Sequence, residues 1–496
     1  MRVESLSHEL AIELTPADVF LRLSLDDQPA FVFEQQENGN PSRYAQIFFD
    51  VYEKLTIHEG VLRAEGQSGS RQFVGNPLRN LERYLGRFRR RGPGSLPPFA
   101  GATVGYLGYD CVRYLERLNL SAQASGEEEA IFITFRRAVI LDRQTGRAVL
   151  VHHLFSDDTG EARNRDRIRR ELAKLASRLQ SEQVRELLPR SAPGARGPSV
   201  ISEPGFREAV AKIKAHIAAG DIFQCVMSRR KTFSLHAHPF SVYRNLREVN
   251  PSPYHFYFES GGQTLVGASP ERLVKIDGNR MEACLIAGTR PRGATTGEDR
   301  RLNRQLRRSR KERAEHLMLV DLVRNDLGRV CRPGTVTVPE FMAIHYFSHV
   351  MHLVSRVEGK LKAEHSPLAA LLACFPAGAL TGAPKIRAMQ ILAELEPHRR
   401  GAYGGAVVLL DFEGQLDSCI TIRTLVAREG RAYLQAGAGI VADSEPSREF
   451  FETEHKMQAM SAAVKLADST RATVQKTKAD EVTSRFRSPS LGEARR

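Results

Sequence analysis

The chain has 496 residues, 42% of them hydrophobic, and 72 Lys and Arg against 58 Asp and Glu give a formal net charge of +14. No apolar run reaches membrane-spanning length, the N-terminus MRVESLSHELAIELTP is charged where a signal peptide is apolar, and six scattered cysteines form no CxxC pair; a membrane protein, a disulfide scaffold and a zinc site are not expected, and a cytoplasmic location is. The basic residues are dispersed without aromatic interleaving and Trp is absent, so the charge points away from nucleic acid and towards acidic substrates.

At this length two domains or one large interwoven body is expected. Over residues 1–160 short apolar runs alternate with polar breaks, as strands do: FVFEQ at 31–35, IFFDVYE at 47–53, AIFITFRRAVILD at 130–142 and AVLVHHLF at 148–155. Residues 97–116, rich in Gly and Tyr, predict tightly packed backbone followed by a helix, and the charged stretch 160–188 has helical spacing. PRSAPGARGPS (189–199) has loop chemistry and marks the boundary between an N-terminal domain, 1–190, and a second domain, 200–466. The second opens with a helix over 204–219 that Gly220 ends, followed by a strand over 221–235. A helix over 305–328 carries Leu317, Val320, Val323 and Leu327 at helical spacing, with Gly328 as its stop. A strand over 349–361 follows, then a Gly-rich turn in which Pro384 starts a helix. That turn lacks the Gly-Lys-Ser/Thr ending of a phosphate loop, so nucleotide binding is not expected there. Residues 400–427 read as two strands around EGQ, with Cys419, Thr421 and Arg423 on one face. The tail, 467–496, is polar, basic and unpatterned, and disorder is expected.

Chemistry concentrates at 436–456, AGAGIVADSEPSREFFETEHK. Gly437 and Gly439 flank Ala438 and leave backbone N–H groups open to an anion. On the helix that Pro446 starts, Glu449 and Glu452 share a face, and Lys456 follows one turn later. Taken alone, this run reads more readily as a tight turn before a solvated surface helix. Glu312 and Glu315 repeat the spacing on the 305–328 helix. Facing one another, the two pairs would supply hard oxygen ligands to one Mg²⁺, with positions left for water and a substrate carboxylate. Glu452 and His455 form one Glu-x-x-His, whereas a di-iron bundle needs two. Arg423, amid β-branched residues, is an edge-strand cation or a planar clamp for a carboxylate.

GDIFQCVMSRR, NPSPYHFYF, GASPERL, LIAGTRPRG, ERAEHLMLVDLVRNDLGRV, HVMHLVSRVEGKL, TGAPKIRAMQIL, RGAYGGAVVLLD, DSCITIRT and the 436–456 run follow one another over about 220–456. Together they resemble the chorismate-utilising enzymes, and among them the large, synthase subunits of the anthranilate synthases; PPFAGATVGYLGYD extends the match into the first half. The resemblance implies an α+β fold, with large antiparallel β-sheets flanked by helices in two closely interwoven subdomains, the first a regulatory region. It implies a Mg²⁺-dependent conversion of chorismate and ammonia to anthranilate and pyruvate by way of 2-amino-2-deoxyisochorismate. No nucleophilic Cys in a Gly-rich elbow is evident, so a separate glutamine amidotransferase subunit is expected to supply the ammonia in a hetero-oligomer. By the same resemblance Glu315 and Glu452 are direct metal ligands, and Glu312 and Glu449 act near the metal through water. Tyr403, Arg423 and the backbone of Gly437, Ala438 and Gly439 would hold a substrate carboxylate. Glu271 and His352 would flank the departing groups, His352 serving pyruvate elimination, with Lys456 beside the metal carboxylates.

Several positions depart from the family pattern or divide its branches. Gln224 stands where water-adding relatives carry a base Lys, and Ala287 where those of the folate route carry a nucleophilic Lys, which disfavours both branches. Ala379 stands where anthranilate synthases usually have Thr; a relative that stops at 2-amino-2-deoxyisochorismate is therefore the alternative. In the family's tryptophan site Gln35 replaces a Ser, and His255 replaces a Met in the Pro253–Tyr254–His255 run. These side chains are larger or more polar and would disturb an indole pocket, so weak or absent tryptophan feedback is expected.

Overall fold

The computed structural model describes the chain apart from residues 27, 38–39, 68, 91–95, 119, 121–126, 185–186, 188–200, 348–349 and 486–496. The expected boundary at 189–199 lies outside the described residues. Alternating apolar and β-branched runs become strands that lie in two layers. In the first, Asn40–His58, Ala30–Glu37, Tyr254–Glu259, Thr264–Ser269, Thr424–Arg428, Arg431–Ile440 and Gln224–Ser234 pair side by side, all antiparallel. In the second the order is Ala130–Asp142, Ala102–Leu107, Ala406–Asp411, Leu416–Ile420, Arg272–Asp277, Arg280–Pro291, Val350–Lys360 and Thr337–Tyr346, again antiparallel. Asn40–His58 also pairs with Ala130–Asp142 and joins the layers along one side. Both layers draw strands from both halves of the sequence: Gln35 lies opposite Tyr254, and Tyr106 opposite Val407.

Period-2 alternation decides what fills the sandwich. Phe31 and Phe33 face a core between the layers with Phe48, Tyr106, Phe256 and Val426, while Val32 points the other way, towards the helices. Each fully buried Phe contributes roughly 1.5–3 kcal/mol. Helices Pro239–Val249 and Pro446–Arg485 cover the outer face of the first layer through Tyr243, Leu246, Met457 and Met460. Helices Arg310–Val330 and Pro367–Cys374 cover the second through Leu319, Val320, Leu327 and Leu371. The result is an α+β fold of large antiparallel sheets flanked by helices.

The chain changes layer twice at one place. Pro270 and Glu271 connect Thr264–Ser269 to Arg272–Asp277, and Thr421–Arg423 connects Leu416–Ile420 to Thr424–Arg428. The crossings lie side by side: Ile420 N donates to Glu271 O at 3.0 Å, and Ala268 N to Arg423 O at 3.2 Å. Strands that switch sheets must bend, and Arg423 bends by adopting φ of 49°, which costs a non-glycine residue about 1–3 kcal/mol. The strand expected to carry Cys419, Thr421 and Arg423 on one face is therefore broken at Ile420.

Other expectations also change. The 305–328 helix is two helices, Thr296–Arg308 and Arg310–Val330, because Ser309 ends one and caps the next, accepting from Glu312 N at 3.3 Å. The second runs past Gly328 to Val330. The tightly packed backbone expected within 97–116 is a fully buried strand, Ala102–Leu107, and the helix expected after it is a 3₁₀ helix, Tyr109–Tyr114. The last helix, Pro446–Arg485, runs on past 466 into the tail expected to be disordered. No Gly or Pro interrupts residues 447–485, so nothing in the backbone chemistry stops it. Residues 486–496 of that tail lie outside the described residues. Among the described residues no helix is long and apolar enough to cross a membrane.

Candidate active site

The two crossings bring a buried carboxyl, Glu271, close to two partly exposed groups, Arg423 and His352. Glu271 is buried, and burial pushes its carboxyl up to about 8, against the opposing pull of the Ile286 N–H and the Lys456 charge. At neutral pH it is a carboxylic acid, able to donate a proton. Burial lowers the pKa of Arg423, and only Tyr403 works against that shift. Among the described residues no carboxylate forms an ion pair with Arg423. His352, on Val350–Lys360, is pushed down to about 4, chiefly by burial, with the charge of Arg423 adding to the effect. Its Nδ1 lies 3.0 Å from Thr289 Oγ1 and 3.3 Å from Gly288 O. A carbonyl only accepts, so the neutral ring carries its proton on Nδ1 and keeps a lone pair on Nε2.

A bare strand forms the facing wall. A Cβ on Gly437 would lie 2.7 Å from the Tyr403 hydroxyl, and one on Gly439 would lie 2.7 Å from Gln224 Nε2. Both glycines are thus required by close approach. Gly437 and Gly439 lie opposite Ser228 and Val226. Ser228 N donates to Glu396, and Val226 O accepts from Arg400. These are therefore positions where the two strands do not bond each other, and the glycine N–H groups leave on the far edge. On that edge Thr424–Arg428 pairs only as far as Leu434. Lys456 Nζ reaches it, donating to Gly437 O at 2.8 Å and pairing with Glu452 at 2.7 Å. The expected open backbone at Gly437, Ala438 and Gly439 is thus two outward glycines with Ala438 turned to its partner strand.

The two glutamate pairs do lie within each other's field. Glu315 is raised first by burial, then by Glu312, with Glu452 of the other helix adding to it. Glu449 is raised by burial and by Glu452, while Lys311 lowers both Glu315 and Glu449. Each carboxylate also leans on a neighbour. Gln224 Nε2 donates to Glu315 at 2.9 Å, Arg290 Nη1 to Glu312 at 3.1 Å, and Ser444 is bonded to Glu449. Among the described residues no three His, Cys, Asp or Glu side chains converge on one point as metal ligands do. The donor set still suits a hard divalent cation: four carboxylates that repel one another, beside a buried Gln224 Oε1 that has no hydrogen-bond partner.

Ala379 sits in the Gly378–Thr381 turn and lines a cavity with Glu271, Leu319, Val323 and Ile420. The nearby Thr381 hydroxyl is held by its own backbone, Ala377 O and Gly378 O, both at 3.3 Å. Gln35 and Tyr254, two of the positions expected from the resemblance to bear on tryptophan, gather with Asp417 around Arg272, the residue that follows Glu271. Gln35 Nε2 donates to Asp417 at 2.6 Å, Tyr254 OH donates to its other oxygen at 3.1 Å, and Arg272 Nε binds Tyr254 OH at 2.6 Å. Pro253 O accepts from Gln36 N at 2.8 Å. His255 points away from this group, its Nε2 2.9 Å from Asn250 O. Sequence reading missed Arg400, Glu396 and Asp110, which hold the loop carrying Tyr403: Gly401 N donates to Asp110 at 2.7 Å, and Arg400 binds Glu396 at 2.7 Å. The only signal was an Arg four residues after a Glu, just before a glycine-rich turn.

The profile of the family described as chorismate binding enzyme matches residues 28–462. The chain belongs to that family. Two anthranilate synthase component 1 proteins are similar to this chorismate-binding enzyme. That of Bacillus caldotenax is 41% identical, with 92% of each chain covered; that of Thermus thermophilus is 42% identical, covering 92% of this chain and 96% of its own. Among solved structures, anthranilate synthase component I from Streptococcus pneumoniae aligns at a TM-score of 0.74 with 33% identity, over 85% of this chain and 92% of that one. The menaquinone-specific isochorismate synthase of Escherichia coli aligns at 0.70 with 18% identity, over 93% and 94%, and shares the fold.

Proposed function

We propose that this chorismate-binding enzyme is the synthase component of an anthranilate synthase, converting chorismate and ammonia to anthranilate, pyruvate and water. The observation that carries the reading is the corner where Arg423, without a carboxylate partner among the described residues, comes together with Tyr403, His352 and Glu271 beside the Gly437–Gly439 strand. Arg423 and Tyr403, with the outward glycine N–H groups, bind a substrate carboxylate. Glu271 donates its proton to the ring hydroxyl, which leaves as water while ammonia bonds to the ring. Nε2 of His352 then takes a ring proton, the enolpyruvyl ether bond breaks, and that proton completes pyruvate as the ring becomes aromatic. Glu315 and Glu452, with Glu312 and Glu449 through water, would hold Mg²⁺. When bound, the ion supplies Lewis-acid polarisation of a ring carboxylate.

Gln224 is an amide and no base, which favours ammonia over activated water as the nucleophile. Ammonia is supplied by a glutamine amidotransferase subunit. A second reading has the reaction stop at 2-amino-2-deoxyisochorismate; Ala379 brings no hydroxyl, and Thr381 Oγ1 is already bonded to its own turn. Incubating the pure chain with chorismate, Mg²⁺ and ammonium separates the outcomes. Fluorescent anthranilate with equal pyruvate supports the first reading, chorismate loss without pyruvate supports the second, and unconsumed chorismate overturns both.

A further inference from the structure

Arg400 takes no part in the steps above, yet among the described residues it is the largest side chain fully withdrawn from solvent. Its guanidinium is shared among the walls of the site. Nη1 donates to Leu380 O at 2.7 Å, in the turn that carries Ala379. Nη2 donates to Val226 O at 2.7 Å, the residue opposite Gly439. Nε and Nη2 bind Glu396 at 2.7 and 2.8 Å. Glu396 in turn accepts from Ser228 N at 2.9 Å and Ser228 Oγ at 2.7 Å, the residue opposite Gly437. The guanidinium carbon lies 5.5 Å from the Tyr403 ring centroid, and Tyr403 N donates to Arg400 O at 3.2 Å.

An ion pair with Glu396 needs a charge and no more. Two further carbonyls on two separate elements need a planar fork with several donors at fixed angles, which a lysine lacks. We propose that Arg400 is a positioning residue that sets the spacing between Tyr403, the Ala379 turn and the Gly437–Gly439 strand. Tyr403 and the glycine strand hold the substrate in the proposed reaction and the Ala379 turn lines the cavity beside Glu271, so this inference rests on that reaction. A displacement near 1 Å among them would lower kcat/KM by about 100-fold.

The test uses Arg400→Lys, which retains the charge opposite Glu396, and the pair Arg400→Met with Glu396→Gln, which leaves no buried charge unpaired. Each is assayed for chorismate consumption, with and without Tyr403→Phe. Expected are a raised KM for chorismate in both variants and a Tyr403→Phe effect that largely vanishes in either background. A purely structural Arg400 would lower thermal stability while KM stays unchanged and Tyr403→Phe keeps its full effect; that result overturns the inference. If the unaltered chain consumes no chorismate, the functional reading falls instead, and amide hydrogen exchange decides the matter. Faster exchange confined to 378–381 and 437–439 in Arg400→Lys upholds the positioning role, and unchanged exchange there removes it.

Discussion

Arg423 lies on one of two neighbouring crossings of the sandwich and Arg272 immediately follows the other, and the two meet opposite surroundings. Arg272 is ringed by Glu282, Asp417 and Tyr254, and these partners raise its pKa although burial works the other way. Arg423 suffers the same burial with no carboxylate partner among the described residues, and its pKa falls. Desolvating a charge is expensive wherever it happens. Around Arg272 and Asp417 the protein meets that cost with its own side chains, Gln35 included. In the candidate active site it does not, so only there does interaction energy remain for an incoming carboxylate. The strained φ at Arg423 fits the same pattern, since strain persists where function requires it.

The largest expected effect tests the acidic side of the active site. Adding a chelator to the assay should lower turnover on the order of 10³-fold, restored by Mg²⁺, because metal polarisation supplies several kcal/mol. Undiminished turnover in chelator would mean that Glu312, Glu315, Glu449 and Glu452 do other work. Next comes the arginine pair. Arg423→Gly should lower kcat/KM about 10²–10³-fold and raise the melting temperature, because it relieves both the positive φ and a half-buried charge with no carboxylate partner among the described residues. Arg272→Met should do the reverse on stability, costing about 3 kcal/mol, because buried Asp417 loses its arginine while keeping the Gln35 and Tyr254 hydrogen bonds, and Glu282 keeps only its longer pairs with Arg280 and Arg356. Melting curves of the two variants that moved in the same direction would dissolve the contrast.

Much of this was legible in the sequence, and the remainder was hidden for identifiable reasons. Strand runs such as AIFITFRRAVILD became the strand Ala130–Asp142 because period-2 burial leaves a plain mark. The Glu-x-x-Glu pairs were visible because one helical turn fixes their spacing. The break at Arg423 was not, since an alternating pattern continues through it and the bend arises from two strands switching layers together. Arg400 was invisible for a related reason: its partners Val226, Leu380 and Glu396 come from three elements that only the fold assembles. The tail read as unpatterned because polar composition marks the lack of a core-facing stripe, which does not prevent a helix.

A smaller effect concerns pH. Burial raises the Glu271 carboxyl to about 8, above its ordinary value near 4.5. The folded chain therefore holds this proton where the unfolded chain has lost it, so the contribution to stability is present in full below pH 4.5. It is lost progressively as pH rises through about 8. The span amounts to roughly a few kcal/mol. Asp110 and Asp411, each raised to about 6 by burial, add the same sign over the acidic part of that window. His352 and His316, lowered to about 4, and His152, lowered to about 3, pull stability the other way below about pH 6.5. Denaturant melts between pH 6.5 and 8 should therefore show stability falling, and Glu271→Gln should flatten that slope while abolishing acid catalysis. A slope that Glu271→Gln leaves unchanged would place the titration elsewhere.

The smallest effect expected is none at all, and it bears on the saturated side of the comparison. A ligand displacing Gln35, where the family resemblance puts the tryptophan site, would meet Asp417, whose two oxygens already bind Gln35 and Tyr254, with Arg272 beyond. Entry would break the Gln35 bond and leave a buried carboxylate partly unsatisfied, a loss of about 1–3 kcal/mol before any contact with the ligand is counted. His255 offers no compensation, because it faces the Asn250 side of its strand. Rates measured across rising tryptophan should therefore stay flat. Gln35→Ser should leave kcat and KM for chorismate unchanged and lower stability by about 1 kcal/mol, since Asp417 retains its other partners. Strong inhibition of the unaltered chain at low tryptophan would show that a fully paired buried network can still yield to a ligand, and the contrast between Arg272 and Arg423 would then no longer mark which region binds.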